Sequence, residues 1–241
     1  MICVKGGSYM KKNKLAIITA RGGSKRIPKK NIKEFCGKPI ILYSIEAALK
    51  AEIFQEVMVS TDDREIADLA KRAGASVPFM RSEATSNDFA TTDEVILEVL
   101  KEYEKKGKTF ESFCCIYPTA PFITSERLKE AMRLLDRADS VMPVVPFSYP
   151  PQRGLLINEK GKIERQFPEY LMVRSQDLPK IYHDSGQFYA CRTEVFLKEK
   201  TTDVNNLVPL ILSELEVQDI DTIEDWELAE IKFLRRENGG K

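Results

Sequence analysis

Among 241 residues there is one histidine, His183, which counts against Ser–His or Cys–His nucleophilic chemistry. The five cysteines (Cys3, Cys36, Cys114, Cys115 and Cys191) are odd in number and contain no C-x-x-C pair. That speaks against a disulfide framework and against a zinc site, and it favours a reducing cytoplasm as the compartment. No apolar run approaches the roughly 18 residues a membrane helix requires. The first thirteen residues lack the apolar core of a signal peptide; they are expected to be disordered, with Met10 an alternative start. Net charge is also missing: 37 Lys and Arg balance 37 Asp and Glu. Bulk charge therefore indicates neither a nucleic-acid nor a membrane partner, and only local clustering can be informative.

What is present is an alternation of short apolar runs and amphipathic segments. Residues 15–20 (LAIITA) form a continuous apolar run that stops at Arg21-Gly22-Gly23, as expected of a strand buried on both faces. Further strands are expected at 56–60, 76–80, 113–117, 140–145, 187–191 and 214–218. Helices are expected at 40–50, after a cap at Asp62 or Asp63, at 92–106, at 125–138 and at 222–236. Such alternation predicts an α/β fold with a doubly wound, mostly parallel sheet. Sheets of this kind bind ligands beyond the carboxyl ends of their strands, which directs attention to the loops after Ala20, Ser60, Met80 and Tyr117. The alternation lapses between 146 and 185, where Pro146, Pro150, Pro151, Pro168 and Pro179 fall. That stretch reads as a small lobe inserted into one domain spanning 14–236.

Two segments carry chemistry. Arg21-Gly22-Gly23-Ser24-Lys25-Arg26-Ile27-Pro28-Lys29-Lys30-Asn31 places two glycines and five cations within eleven residues, just after the first strand. Glycines permit a tight turn that offers N–H groups, and the cations suit phosphate oxygens. It is neither a Walker A loop nor G-x-G-x-x-G, and the bland alternative is a solvated basic loop. In Asp219-Ile220-Asp221 the two carboxylates fall on one side of an extended chain, where both can reach one hard cation. Alternatively, Asp221 caps the following helix, with Glu224 completing a box. Arg153 and Arg174 in the lobe either clamp a substrate carboxylate or are solvated.

These residues resemble a known family. Residues 20–31 (ARGGSKRIPKKN) are similar to the signature of CMP-sialic acid synthetases, and VSTDD (59–63), Arg81, PTAP (118–121) and DID (219–221) follow in the family's order. The resemblance implies a Rossmann-like nucleotidyltransferase fold, CTP as co-substrate and Mg²⁺ as cofactor. It also implies a homodimer whose lobe reaches the neighbouring site. Position by position, it assigns Arg21, Gly22, Gly23, Ser24, Lys25 and Lys30 to the CTP phosphates. Asn31 and Thr92 fall near the ribose, Ala90 elsewhere in the CTP site, Arg81 near cytosine, and Asp219 and Asp221 on the metal. Arg21, Lys25, Lys30 and Asp221 would be the catalytic set, and Tyr117, Arg153, Arg174 and Gln187 would meet the sugar acid.

Tyr117 replaces the sialic acid branch's glutamine, and residues 182–189 (YHDSGQFY) replace its R-P-N-G-A-[IF]-Y type of segment. Together with FCGKPI (35–40), these changes resemble the branch that activates pseudaminic acid, although Pro118 stands where that branch more usually has alanine. The implied reaction is attack by the sugar's anomeric hydroxyl on the α-phosphate of CTP, and no general base is assigned. Rivals are transfer to N-acetylneuraminic, legionaminic or 3-deoxy-octulosonic acid and, in another class, a non-catalytic nucleotide-binding protein on the same fold.

Overall fold

The computed structural model describes residues 13–239; the expectations for residues 1–12, including the start at Met10, lie outside the described residues. In chain order the elements are β1 (Lys14–Thr19), β2 (Glu34–Phe35), β3 (Lys38–Pro39), α1 (Ile41–Ala51), β4 (Glu56–Ser60), α2 (Arg64–Arg72) and α3 (Glu83–Ser86). They continue with α4 (Thr92–Lys105), β5 (Ser112–Ile116), α5 (Ser125–Leu134), β6 (Ser140–Pro146), β7 (Leu155–Ile157), β8 (Ile163–Arg165) and β9 (Tyr182–Asp184). The chain then closes with β10 (Phe188–Arg192), α6 (Thr193–Glu199), β11 (Leu207–Ile211) and α7 (Ile223–Glu237).

A seven-stranded sheet in the order β11-β6-β10-β5-β1-β4, with β9 also paired to β6, forms the centre. β1 lies parallel to both β4 and β5, and β11 lies parallel to β6. β10 runs antiparallel to both its neighbours, and β9 is antiparallel to β6. The expected doubly wound, mostly parallel sheet is therefore present, with two strands reversed. Because the chain leaves β1 for β4 on one side and returns to β5 on the other, the order switches beside β1. There the connecting loops diverge and leave a crevice.

Strand alternation divides the apolar residues between two faces. Ala16 and Ile18 of β1, Val57 and Val59 of β4, and Cys114 and Ile116 of β5 pack with Ile41 and Ile45 of α1, Ile66 of α2 and Leu128 of α5. Leu15, Ile17, Met58, Phe113 and Cys115 point the other way, onto Ile96, Val99 and Tyr103 of α4 and Phe196 of α6. A third cluster lies outside the sheet. Ile27, Phe35, Ile40, Phe122, Ile220 and Trp226 gather there, with Phe35 edge-to-face on Trp226 at 5.5 Å.

Two expectations about elements are corrected. Residues 76–80 are not a strand: Ser76 alone bridges Met58, and Pro78 follows it at the sheet's outer edge, with no N–H to extend a ladder. Residues 214–218 are not a strand either. Ser213 caps a short 3₁₀ turn, Glu214–Glu216, in a box with Glu216. The edge strand is instead β11, where Pro209 is tolerated because one side of the strand is unpaired. In the lobe, β7 and β8 form an exposed hairpin before β9 brings the chain back to β6. Among the described residues, no helix is long and apolar enough to cross a membrane.

Candidate active site

A cavity of about 470 Å³ opens beyond the carboxyl ends of β1 and β5. Its wall holds Arg21, Ser24, Lys25, Lys30 and Asn31 from the loop after β1, Arg81 from the segment between α2 and α3, Ala90 and Thr92 at the start of α4, Tyr117 after β5, and Asp219 and Asp221 before α7. Eleven of the residues assigned by resemblance thus come together from five separated stretches of chain.

The basic loop is held at both ends. Gly22 donates its N–H to Asp62 Oδ1 at 2.9 Å, and a Cβ there would lie 2.8 Å from Asp63 Oδ2. Gly22 is therefore required by the closeness of α2, whose N-cap is Asp63. Gly23 has open space around it. Asn31 is buried and donates to the Arg21 carbonyl at 2.8 Å, closing the loop on itself. Ile27 shares the third apolar cluster with Ile220, and this packing sets the cations opposite Asp219 and Asp221.

The charges are paired within the chain. Asp88 accepts from Arg21 at 2.7 Å and also from Lys25, and the two cations hold its carboxyl below the usual range through those hydrogen bonds. Asp221 accepts from Arg26 at 2.8 Å, and Lys30 donates to the Ile220 carbonyl at 2.7 Å. Burial, with the Asp221 charge beside it, pushes the Asp219 carboxyl up. Asp221 is not the helix cap: Thr222 caps α7 in a box with Asp225, which leaves both carboxylates of the pair to serve the cavity. Arg81 is buried, its guanidinium anchored on Ser60 O at 2.7 Å and Ser60 Oγ at 3.0 Å. Burial lowers its pKa while Asp62 and Glu98 oppose the change.

Three of the assigned residues, Arg153, Arg174 and Gln187, are not brought to the cavity, and Gly22 and Gly23 lie behind its wall. Arg153 is tied inside the lobe, donating to the carbonyls of Tyr170 at 3.2 Å and Leu171 at 3.1 Å. Arg174 is exposed in the lobe. Gln187 is buried, its amide donating to the Glu216 carbonyl at 2.6 Å. His183 faces the Asp184 carbonyl, its ring 4.8 Å from Phe147. No site role was assigned to Asp88, Thr119 or Gly186, although Thr119 lies in PTAP and Gly186 in YHDSGQFY, and Asp88 is an acidic residue in a polar turn just before a helix start.

The arrangement offers cations for a polyanion, two carboxylates for a hard cation and a polar pocket behind them. Among the described residues, no group of three or more His, Cys, Asp or Glu gathers for a metal, so a cation held by the Asp219 and Asp221 oxygens would complete its shell with ligand or water oxygens. Sheet, switch point and cationic turn together make an α/β site suited to a polyphosphate ligand. The cytidylyltransferase family model matches residues 15–218, and the chain belongs to that family.

It is 39% identical over 221 residues to a pseudaminic acid cytidylyltransferase of Campylobacter jejuni, covering 91% of this chain and 95% of that one. To a CMP-N,N'-diacetyllegionaminic acid synthase of Legionella pneumophila it is 34% identical, covering 90% and 94%. Among solved structures, a CMP:2-keto-3-deoxy-manno-octonic acid synthetase complexed with CTP superposes with a TM-score of 0.66. That match has 18% identity and covers 94% of this chain and 100% of that one, a likeness of fold.

Proposed function

We propose that the protein transfers CMP from CTP to the anomeric hydroxyl of pseudaminic acid, giving CMP-pseudaminic acid and pyrophosphate. The observation that carries this reading is one cavity lined together by the cations Arg21, Lys25 and Lys30, the carboxylates Asp219 and Asp221, and Tyr117. The likeness to the Campylobacter enzyme across nearly the whole chain supports the choice of sugar.

Arg21, Lys25 and Lys30 would bind the triphosphate by exchanging Asp88 and the Ile220 carbonyl for phosphate oxygens. The sugar hydroxyl would attack in line, an O–Pα bond forming as the bond to pyrophosphate breaks and the hydroxyl proton passing to solvent. The cations then offset charge on the leaving group, so that positioning and electrostatics supply most of the catalysis. Asp219 and Asp221 would hold Mg²⁺, which when bound neutralises phosphate charge; the raised Asp219 pKa supports a pair that gains by sharing a cation. Arg81 and Asn31 fit the nucleoside side of the cavity. A homodimer is supported by the exposed apolar residues of the lobe, among them Leu156, Ile157, Ile163 and Met172. A cytoplasmic location is in keeping with four free cysteines among the described residues and with CTP as co-substrate.

Pyrophosphate release with CTP and a panel of acidic nine-carbon sugars tests the proposal. Pseudaminic acid is the expected substrate; turnover with N-acetylneuraminic acid in its place would overturn the assignment. Asp221→Ala should abolish release with the fold intact by circular dichroism, and Lys25→Ala should lower kcat by well over tenfold.

A further inference from the structure

Tyr117 enters the cavity with its backbone fixed on both sides. Its N–H donates to the Gln187 carbonyl at 2.8 Å, and its carbonyl accepts from Ser44 Oγ at 2.8 Å. Its hydroxyl meets Thr92 Oγ1 at 3.1 Å. The ring lies edge-to-face on Tyr189, centroids 5.8 Å apart, a geometry aromatic pairs prefer. The Tyr189 hydroxyl in turn donates to Asp184 Oδ2. Asp184 thus ends a connected series of side chains that begins at the cavity wall with Thr92.

We infer that Asp184, acting through the Tyr189 hydroxyl, positions Tyr117 as the wall the acceptor sugar meets, and so helps set which acidic sugar is accepted. The inference rests on the proposed reading that Tyr117 faces the sugar. A phenol ring has two soft torsions, and a hydrogen bond at its far end removes much of that freedom. Anchored by Asp184, Tyr189 presents its ring edge to Tyr117 in one orientation. The pair then offers an apolar surface with a single hydroxyl handle. Such a surface favours a sugar carrying methyl groups over one carrying hydroxyls at the same places, because those hydroxyls would be left unpaired. Burial pushes both phenols up in pKa, with the Asp184 charge adding to the effect; both therefore stay neutral hydroxyls.

Asp184 has a second contact that must be separated from this one. Its Oδ1 accepts the Gly186 N–H at 2.8 Å, bracing a turn in which Gly186 takes φ +64° beside Asp219. Asp184→Ala breaks both contacts, whereas Tyr189→Phe breaks only the link to Tyr189 and leaves the turn.

The test is steady-state kinetics with CTP and pseudaminic acid, and with N-acetylneuraminic acid as competitor. Tyr189→Phe and Asp184→Ala should each raise the sugar KM about tenfold and narrow the preference between the sugars, and Tyr189→Phe, which leaves the turn beside Asp219, should keep the CTP KM within twofold. Asp184→Asn, which keeps an acceptor oxygen, should recover most of the loss. In parallel, the ¹⁹F resonance of 3-fluorotyrosine at position 117 should shift in Tyr189→Phe. An unchanged resonance, or CTP and sugar KM rising together in Tyr189→Phe, would overturn the inference. Should the unaltered protein turn over none of the sugars, the functional reading falls, and the fluorine resonance still decides whether Asp184 and Tyr189 position Tyr117.

Discussion

Gly22 and Gly23 are neighbours with different reasons to be glycine. A methyl group on Gly22 would meet Asp63 Cβ at 2.9 Å and Oδ2 at 2.8 Å. Asp63 cannot swing away without releasing the N–H groups of Glu65 and Ile66 that it caps. Overpacking of this kind costs about 1–3 kcal/mol, and here it would displace Arg21 and Lys25 as well. Gly22→Ala should therefore raise the CTP KM about tenfold and lower Tm by several degrees. Gly23→Ala, with nothing within 4 Å, should stay within twofold of the unaltered protein. Equal damage at both positions, measured by kinetics and thermal unfolding, would mean that backbone approach to phosphate, and not Asp63, demands the glycines.

At the scale of elements, the third apolar cluster matters most, because it fastens the basic loop to α7. Ile27, Ile220 and Trp226 are almost fully buried in it. Ile27→Ala should cost about 2–5 kcal/mol in urea unfolding and also lower kcat, since the cations and carboxylates would no longer share a frame. Leu100→Ala, in the cluster beneath α4, should cost a similar amount and leave kcat unchanged. A kcat loss common to both would reduce the cluster to general stability.

Much of this scaffold was readable. Residues 15–20 and 113–117 announce buried strands by unbroken apolar runs, and the run of cations after β1 announced the site. Pairing direction is not written locally, and so the reversal of β10 was invisible. Leu215 and Val217 mimic strand alternation, but Ser213 and Glu216 close a box that wins over it. Asp88 escaped notice because its partners Arg21 and Lys25 come from a distant stretch of chain, and the Asp184–Tyr189 link because only the local turn at Gly186 brings the two side chains together.

At the scale of the molecule, the hairpin β7–β8 and the turns after it leave Ile157 77% and Ile163 68% exposed. Those side chains hold little of this chain's own fold. On the proposed dimer, Ile157→Asp with Ile163→Asp should halve the mass found by sedimentation and reduce activity at low concentration. Tm should fall only by what the lost association contributed. An unchanged mass would place the contact elsewhere.

The reversed strand β10 has a further consequence, for the growing chain. β10 sits between β5 and β6, registered by Phe188 against Ile116 and by Ala190 against Val141, yet it is made after both of them and after the entire lobe. A nascent chain ending before residue 188 therefore carries two hydrophobic strands with no partner between them, and such open edges invite pairing with other chains. The sheet can close at its middle only late in synthesis, so this stretch of translation is where the protein most needs a chaperone.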